Sequence, residues 1–122
     1  MTVAKTIRGR VLQSQDAIEL VSDKWRIPIL HVLAAGPQRA GELQRAVHEV
    51  SSKVLTQTLR RMERDGLISR KVASVIPPRV EYSLTPMGRS VIVPLRELCL
   101  WAKAHVPERD RARRKFDSQT GT

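Results

Sequence analysis

One stretch of this chain decides its fold: SSKVLTQTLRRMERDG, residues 51–66. Ser51 is a good N-cap for a helix, and Gly66 is well suited to end one. Between them, three apolar residues are spaced by four and then three positions: Leu55, Leu59 and Met62. Side chains at this spacing share one face of a helix, so they should point toward a core. The stretch therefore predicts an amphipathic helix that runs to about Asp65.

The N-cap and the opposite face of this helix are polar and largely basic. They carry hydroxyl, amide and basic side chains: Ser51, Ser52, Lys53, Thr56, Gln57, Arg60 and Arg64. A helix fits the major groove of B-DNA, where Lys or Arg can pair with guanine and Gln with adenine, while hydroxyls bind phosphate or base. The plain alternative is a helix whose charged face is only solvated, as most charged faces are.

The pattern after this helix changes to alternation. Apolar and polar residues alternate over residues 68–72 and again over residues 79–84, with Pro77-Pro78 between the two runs. Two alternating runs joined by a turn predict a β-hairpin.

The charges of this predicted hairpin favour DNA binding over mere solvation. Its strands carry Arg70, Lys71 and Arg79, whereas residues 74–78 at the tip are uncharged, so Arg79 is the hairpin residue expected to contact DNA. Residues 51–71 hold six basic and two acidic side chains, a local balance of +4. A basic helix followed at once by a basic hairpin suits a helix in one groove and a wing against the flanking backbone or minor groove.

Apolar residues at helical spacing predict three helices before the basic one. The first begins with Ser14 as its N-cap. The second holds Pro28 in its first turn and is ended by Gly36-Pro37, and the third is short. The apolar faces of the three helices are Ala17, Leu20 and Val21, then Trp25, Ile29, Val32 and Leu33, and finally Leu43, Ala46 and Val47.

A last helix is predicted after the hairpin, with Thr85 as its N-cap and Pro86 at its first position. Pro94 lies inside this helix and should kink it. From Pro107 onward the chain is charged and is expected to fray. One side of the helix is apolar apart from its final residue: Val91, Leu95, Leu98, Ala102 and His105.

These elements predict a mainly α fold with a small β-hairpin wing (α+β), a winged helix-turn-helix with N- and C-terminal dimerisation helices. A basic flexible arm is expected over residues 1–13, the winged domain with its dimerisation helices over 14–106, and a charged C-terminal tail over 107–122. The expected dimer interface consists of terminal-helix residues that one small lobe has little need to cover: Leu20, Leu95, Leu98, Trp101 and His105. Two-fold symmetry then predicts an inverted-repeat operator.

The composition limits the classes of function. Twenty-two Lys and Arg against twelve Asp and Glu give +10 over 122 residues, which favours a polyanionic partner over a merely soluble basic protein. No apolar run is long enough to span a bilayer and no signal region is present, so no membrane partner and a cytoplasmic location are expected. No nucleophile setting or glycine-rich phosphate loop indicates an enzyme.

Neither a metal nor another cofactor is expected. His31, His48 and His105 lack ligand spacing, and Cys99 is the only cysteine. The default for Cys99 is a buried, inert thiol, since a reactive one needs an exposed, electropositive setting.

The sequence resembles the HxlR-type regulators, relatives of the MarR regulators, from about Asp16 to Trp101. The resemblance is carried by KW at 24–25, GP at 36–37, EL at 42–43, VSSKVLTQ at 50–57, LRRME at 59–63, DGL at 65–67 and, most specifically, PPRVEYSLT at 77–85. It implies a dimeric winged-helix protein that represses or activates nearby genes. Several members of that family sense oxidants through a cysteine before the first helix. Residues 10–12 here are Arg-Val-Leu, which excludes thiol sensing at that place, and Ala40 stands where an aromatic residue is common.

The expected function is sequence-specific binding of double-stranded DNA by a homodimeric transcriptional repressor that responds to a small molecule. An apolar or aromatic effector would enter near Trp25, Ile29, Leu98 and Trp101, although large apolar residues at helical spacing are more often core. The alternative is a winged-helix protein–protein interaction module, which would show an apolar patch on the recognition face. An RNA-binding winged helix would favour exposed aromatics for stacking, and only two Trp, one Tyr and one Phe are present.

Overall fold

The structure is a computed structural model that describes residues 13–120. Residues 13–21 are helical and form α1. The other elements follow in the predicted order: α2 (Arg26–Ala34), α3 (Ala40–Ala46), α4 (Ser52–Arg64), β1 (Ile68–Ser74), β2 (Arg79–Leu84), α5 (Pro86–Ser90) and α6 (Ile92–Thr120). The contacts divide the chain into two compact units, one up to Ser90 and one from Val91. The arm predicted over residues 1–13 lies outside the described residues except for its last residue, which is helical.

The core of the first unit is built from the apolar faces of α2, α3 and α4. Its fully buried side chains include Ile29, Leu30, Leu33, Leu43, Leu55, Leu59 and Met62. The predicted core face of the α4 segment is therefore confirmed. Ala46, predicted on the buried stripe of α3, is exposed. Leu43 and Val47 are four residues apart and form the core face, whereas Ala46 is turned about 100° away from Val47 around the helix.

The chain after α2 joins the helical core to the hairpin. Gly36 has a φ of 146°, which side chains rarely permit, and it turns the backbone out of the helix. Gln38 then pairs with Tyr82 in β2: its N–H donates to the Tyr82 carbonyl at 2.9 Å, and the Tyr82 N–H donates back at 2.8 Å. This bridge adds one residue to the edge of the two-stranded antiparallel sheet and fixes the base of the wing.

A second junction fixes the hairpin to the end of α4 and the start of α5. The Thr85 hydroxyl donates to the Gly66 carbonyl at 2.5 Å and accepts from the Gly88 N–H at 3.0 Å, which confirms Thr85 as the N-cap of α5. A Cβ on Gly88 would lie 2.0 Å from the Leu67 carbonyl oxygen, so only glycine fits there. The wing is thus held at its base, where β1 begins and where β2 ends.

The terminal helices depart from the predictions in three places. Ser14 lies inside α1 and is not its N-cap, because residue 13 is already helical. The kink predicted at Pro94 is wrong: α5 ends at Ser90 and a separate helix, α6, begins at Ile92. Pro94 therefore lies in the first turn of α6, where a missing N–H costs little. The predicted fraying is also wrong, since α6 continues through Pro107 to Thr120.

Most of α6 is exposed. Of its 29 residues, only Ile92 and Leu95 are buried, while Leu98, Leu100 and Phe116 present apolar surface to water. No helix among residues 13–120 has the length and apolar character that crossing a membrane requires.

Candidate nucleic-acid interface

Hydrogen bonds from two side chains fix the start of α4. The Ser51 hydroxyl accepts from the Val54 N–H at 3.1 Å, which confirms the predicted N-cap. Gln44 on α3 reaches across the turn, donating from Nε2 to the Val50 carbonyl at 3.3 Å and accepting the Ser52 hydroxyl proton at Oε1 at 3.1 Å. The Ser52 proton is therefore already used within the protein. The role of Gln44 could not be predicted from the sequence, because it depends on contacts between α3 and the start of α4.

The predicted DNA-facing residues are exposed. All eight lie at the surface: Ser51, Ser52, Lys53, Thr56, Gln57, Arg60, Arg64 and Arg79. Lys53, Gln57, Arg60 and Arg64 follow one another by four, three and four positions, so they form one stripe along α4. The three basic residues of this stripe pair with no carboxylate within residues 13–120. The stripe therefore carries three positive charges that form no ion pair among the described residues, and the Gln57 amide lies between them.

A groove of about 390 Å³ lies between α4 and the wing. Its lining combines Thr56, Arg60 and Glu63 of α4 with Arg70 and Tyr82 of the hairpin. Arg70 and Tyr82 are direct cross-strand partners, so their side chains share one face of the sheet. Arg70 of the wing thus adds a second guanidinium to the groove, in addition to that of Arg60. Arg79, the wing residue that the sequence favoured, pairs with Ser74 at the far end of the ladder.

Comparisons with known proteins agree with this geometry. The model of the HxlR-like helix-turn-helix matches residues 20–110. The chain belongs to this HxlR-like family. It is similar to the helix-turn-helix transcriptional regulator YkvN of Bacillus subtilis, with 45% identity over 83 residues, covering 68% of this chain and 70% of YkvN.

Two solved structures extend the likeness of this HxlR-like chain to its fold. The transcriptional regulator ytfH from Salmonella typhimurium has 36% identity and a TM-score of 0.72, covering 83% of this chain and 90% of ytfH. The redox regulator HypR in its reduced form has 26% identity and a TM-score of 0.76, covering 81% and 98% of the two chains. The winged helix-turn-helix is thereby confirmed, and the family is one of transcriptional regulators rather than enzymes.

The C-terminal end of α4 in this HxlR-like chain is anchored by ion pairs that the sequence did not reveal. The Arg26 guanidinium is buried, and its Nη1 donates to the Leu20 carbonyl at 3.1 Å and lies 2.7 Å from Oδ2 of Asp65. Arg61 lies 3.7 Å from Asp23. The end of α1 and the start of α2 are therefore linked directly to the C-terminal end of α4.

The residues predicted to line an effector pocket lie in different settings. Trp25 is half-buried, with Lys24 Nζ 4.9 Å from its ring centroid, and Ile29 is completely buried in the core. A ligand could reach Ile29 only by displacing core side chains. In the second unit, Leu98 and Trp101 are exposed, and Trp101 stacks on His105 with ring centroids 4.5 Å apart.

The remaining prediction about the terminal helices concerns Cys99. The thiol is exposed, so the expectation of a buried cysteine is wrong. Its helix neighbours Leu98 and Leu100 are exposed as well, because this part of α6 has little of its surface covered in the single chain. In the single chain, therefore, burial does not protect this thiol from oxidants.

Proposed function

We propose that this HxlR-like protein is a sequence-specific, double-stranded DNA-binding repressor that acts as a homodimer in the cytoplasm. The observation that carries the proposal is the exposed stripe of Lys53, Gln57 and Arg60 on α4. A fixed helix with an amide between two unpaired basic side chains suits base edges in the major groove, where Gln pairs with adenine and Arg or Lys with guanine.

The wing supports the same proposal. Arg70 lies with Arg60 along the groove beside α4, and Arg79 is exposed near the wing tip. Phosphate contacts from such side chains set the register of the helix without reading sequence. A protein–protein module would instead present an apolar recognition face, whereas the only large hydrophobic residue exposed on α4 is Val54, at 37%.

The homodimer is proposed from uncovered apolar surface on the terminal helices. Leu20 is 41% exposed, Leu98 53% and Trp101 60%, and a second copy would cover such residues. His105, stacked on Trp101, extends the exposed surface of α6. Leu95 is only 4% exposed in the single chain, so little of its surface is left for a second copy to cover. A two-fold dimer would place two recognition helices on an inverted repeat.

An effector response is proposed on narrower grounds. A shallow indentation of about 210 Å³ on α6 is lined by Trp101, Ala102, His105, Val106 and Arg109. Stacked rings beside a guanidinium suit a small aromatic ligand. Such a ligand shifts DNA binding only if it binds the free and DNA-bound forms with different affinities.

The test of the proposed function is a footprint on the DNA that flanks the protein's own gene, repeated at several salt concentrations. We expect protection of an inverted repeat, with log affinity falling linearly in log salt by about 0.9 for each phosphate neutralised. Equal affinity for every duplex, or a complex that salt does not weaken, would contradict the proposal.

A further inference from the structure

The tip of the wing is the most exposed apolar part of the described chain. Ile76 is 90% exposed and Val75 75%, more than any other large hydrophobic residue within 13–120. They precede Pro77 and Pro78, so the four-residue turn carries no charge. A small protein gains nothing in the single chain from holding such residues in water, and exposed apolar clusters mark contact surfaces.

The face of the wing that lines the groove becomes apolar toward this tip. Cross-strand partners share one face of a sheet, and alternate residues along a strand do so too. Arg70 and Tyr82 line the groove, and the next pair on that face is Val72 with Val80. The wing therefore offers a guanidinium near α4 and aliphatic side chains farther out, before a β-bulge between Val72 and Ser74 leads into the tip.

The surrounding charge identifies the partner as a polyanion that has an apolar interior surface. Arg79 follows the tip directly and is exposed, and the tip itself carries no charge. Lys71 lies in the middle of β1 opposite Glu81, which is the only acidic side chain in the hairpin. The minor groove of DNA fits this combination, because phosphates border walls of sugar and stacked bases. Proteins insert Ile and Pro side chains between base steps in that groove and so kink the duplex.

The length of the wing matches the spacing of the grooves. The second strand has six residues, and at roughly 3.4 Å per residue it spans about 20 Å. Half a turn of B-DNA is about 17 Å, from a full turn of about 34 Å. A hairpin whose base is joined to α4 therefore reaches the minor groove next to the major groove that α4 would occupy.

We propose that Val75 and Ile76 form an apolar wedge that enters this minor groove, partly unstacks a base step and bends the operator, while Arg79 contacts the adjacent phosphates. The wedge rests on the proposed function and deepens it. It adds a source of specificity that involves no base-edge hydrogen bond, because pyrimidine–purine steps such as TA and CA are the easiest to kink. The operator should carry such a step about half a turn from each α4 contact.

The experiment compares Ile76→Ser with the matched control Ile76→Leu on the footprinted operator. Bend angle is measured by circular-permutation electrophoresis and affinity by titration. We expect the wild type and Ile76→Leu to bend the duplex by about 20–90°. Ile76→Ser should lose most of the bend and about tenfold in affinity, the scale expected for an apolar side chain that is no longer buried. Because Ile76 is exposed, thermal unfolding should be the same for all three proteins.

Other outcomes separate the wedge from the proposed function. If Ile76→Ser binds and bends the operator like the wild type while Gln57→Ala loses discrimination, the wedge is wrong and the DNA reader stands. If the wild type selects no duplex, the proposed function fails and the wedge fails with it. If the operator data are unchanged but Ile76→Ser loses binding to phosphatidylserine vesicles, the tip serves a membrane and the wedge is overturned.

Discussion

Helices α4 and α6 both carry basic side chains, yet they differ in how much of their apolar surface the single chain covers. In α4, four of 13 residues are buried, and both ends are fixed by side-chain contacts. In α6, two of 29 residues are buried, and Leu98, Trp101 and Phe116 remain exposed. The first helix is complete within its own chain. The second leaves apolar surface exposed, which the proposed second copy would cover.

The sharpest test of this difference applies the same substitution to both helices. Leu59→Ala removes a completely buried side chain from α4 and should lower the free energy of unfolding by about 2–5 kcal/mol. Leu98→Ala on α6 should cost less than about 0.5 kcal/mol in the monomer. Denaturant unfolding at low protein concentration measures both. Equal losses at that concentration would mean that α6 is packed within the single chain.

A second prediction concerns the surface that α6 leaves open. Trp101→Ala should weaken dimerisation by about 2 kcal/mol or more, roughly 30-fold in the dissociation constant, because large aromatic residues dominate interface energies. Sedimentation equilibrium measures the shift, with Lys103→Ala as a control on the same helix. A wild type that sediments as a monomer at micromolar concentration would contradict the proposed dimer.

The third prediction tests how α4 is anchored. Asp65→Ala leaves the buried Arg26 guanidinium without its carboxylate and should cost about 1–3 kcal/mol, since an unpaired buried polar group bears its full desolvation penalty. Adding Arg26→Met should recover much of this loss, because an apolar residue of similar length removes the buried charge. Thermal unfolding of the single and double variants measures both changes in stability. A double variant no more stable than Asp65→Ala would mean that Arg26 acts through packing alone.

Contacts between near neighbours and contacts between distant residues differ in how well the sequence could predict them. Three features that depend on near neighbours were predicted correctly: the Ser51 cap, the 55–59–62 core face and the Thr85 cap of α5. The contacts of Arg26 with Asp65 and of Gln38 with Tyr82 were missed, because they join positions about 40 residues apart that only the folded chain brings together. Fraying was predicted for the end of α6 because this segment is charged, although Arg, Ala, Lys and Glu are all good helix formers. The segment is helical to Thr120.

The proposed reading of DNA sequence by the α4 stripe can be tested directly. The measurement that tests it most directly is the ratio of affinities for the footprinted operator and for an unrelated duplex, in wild type, Gln57→Ala and Arg79→Ala at one salt concentration. We expect a wild-type ratio of about 10³ or more. Gln57→Ala should reduce the ratio by roughly 1–3 kcal/mol, whereas Arg79→Ala should weaken both complexes alike and preserve it. A wild-type ratio near one, or a ratio that Gln57→Ala leaves unchanged, would contradict the account.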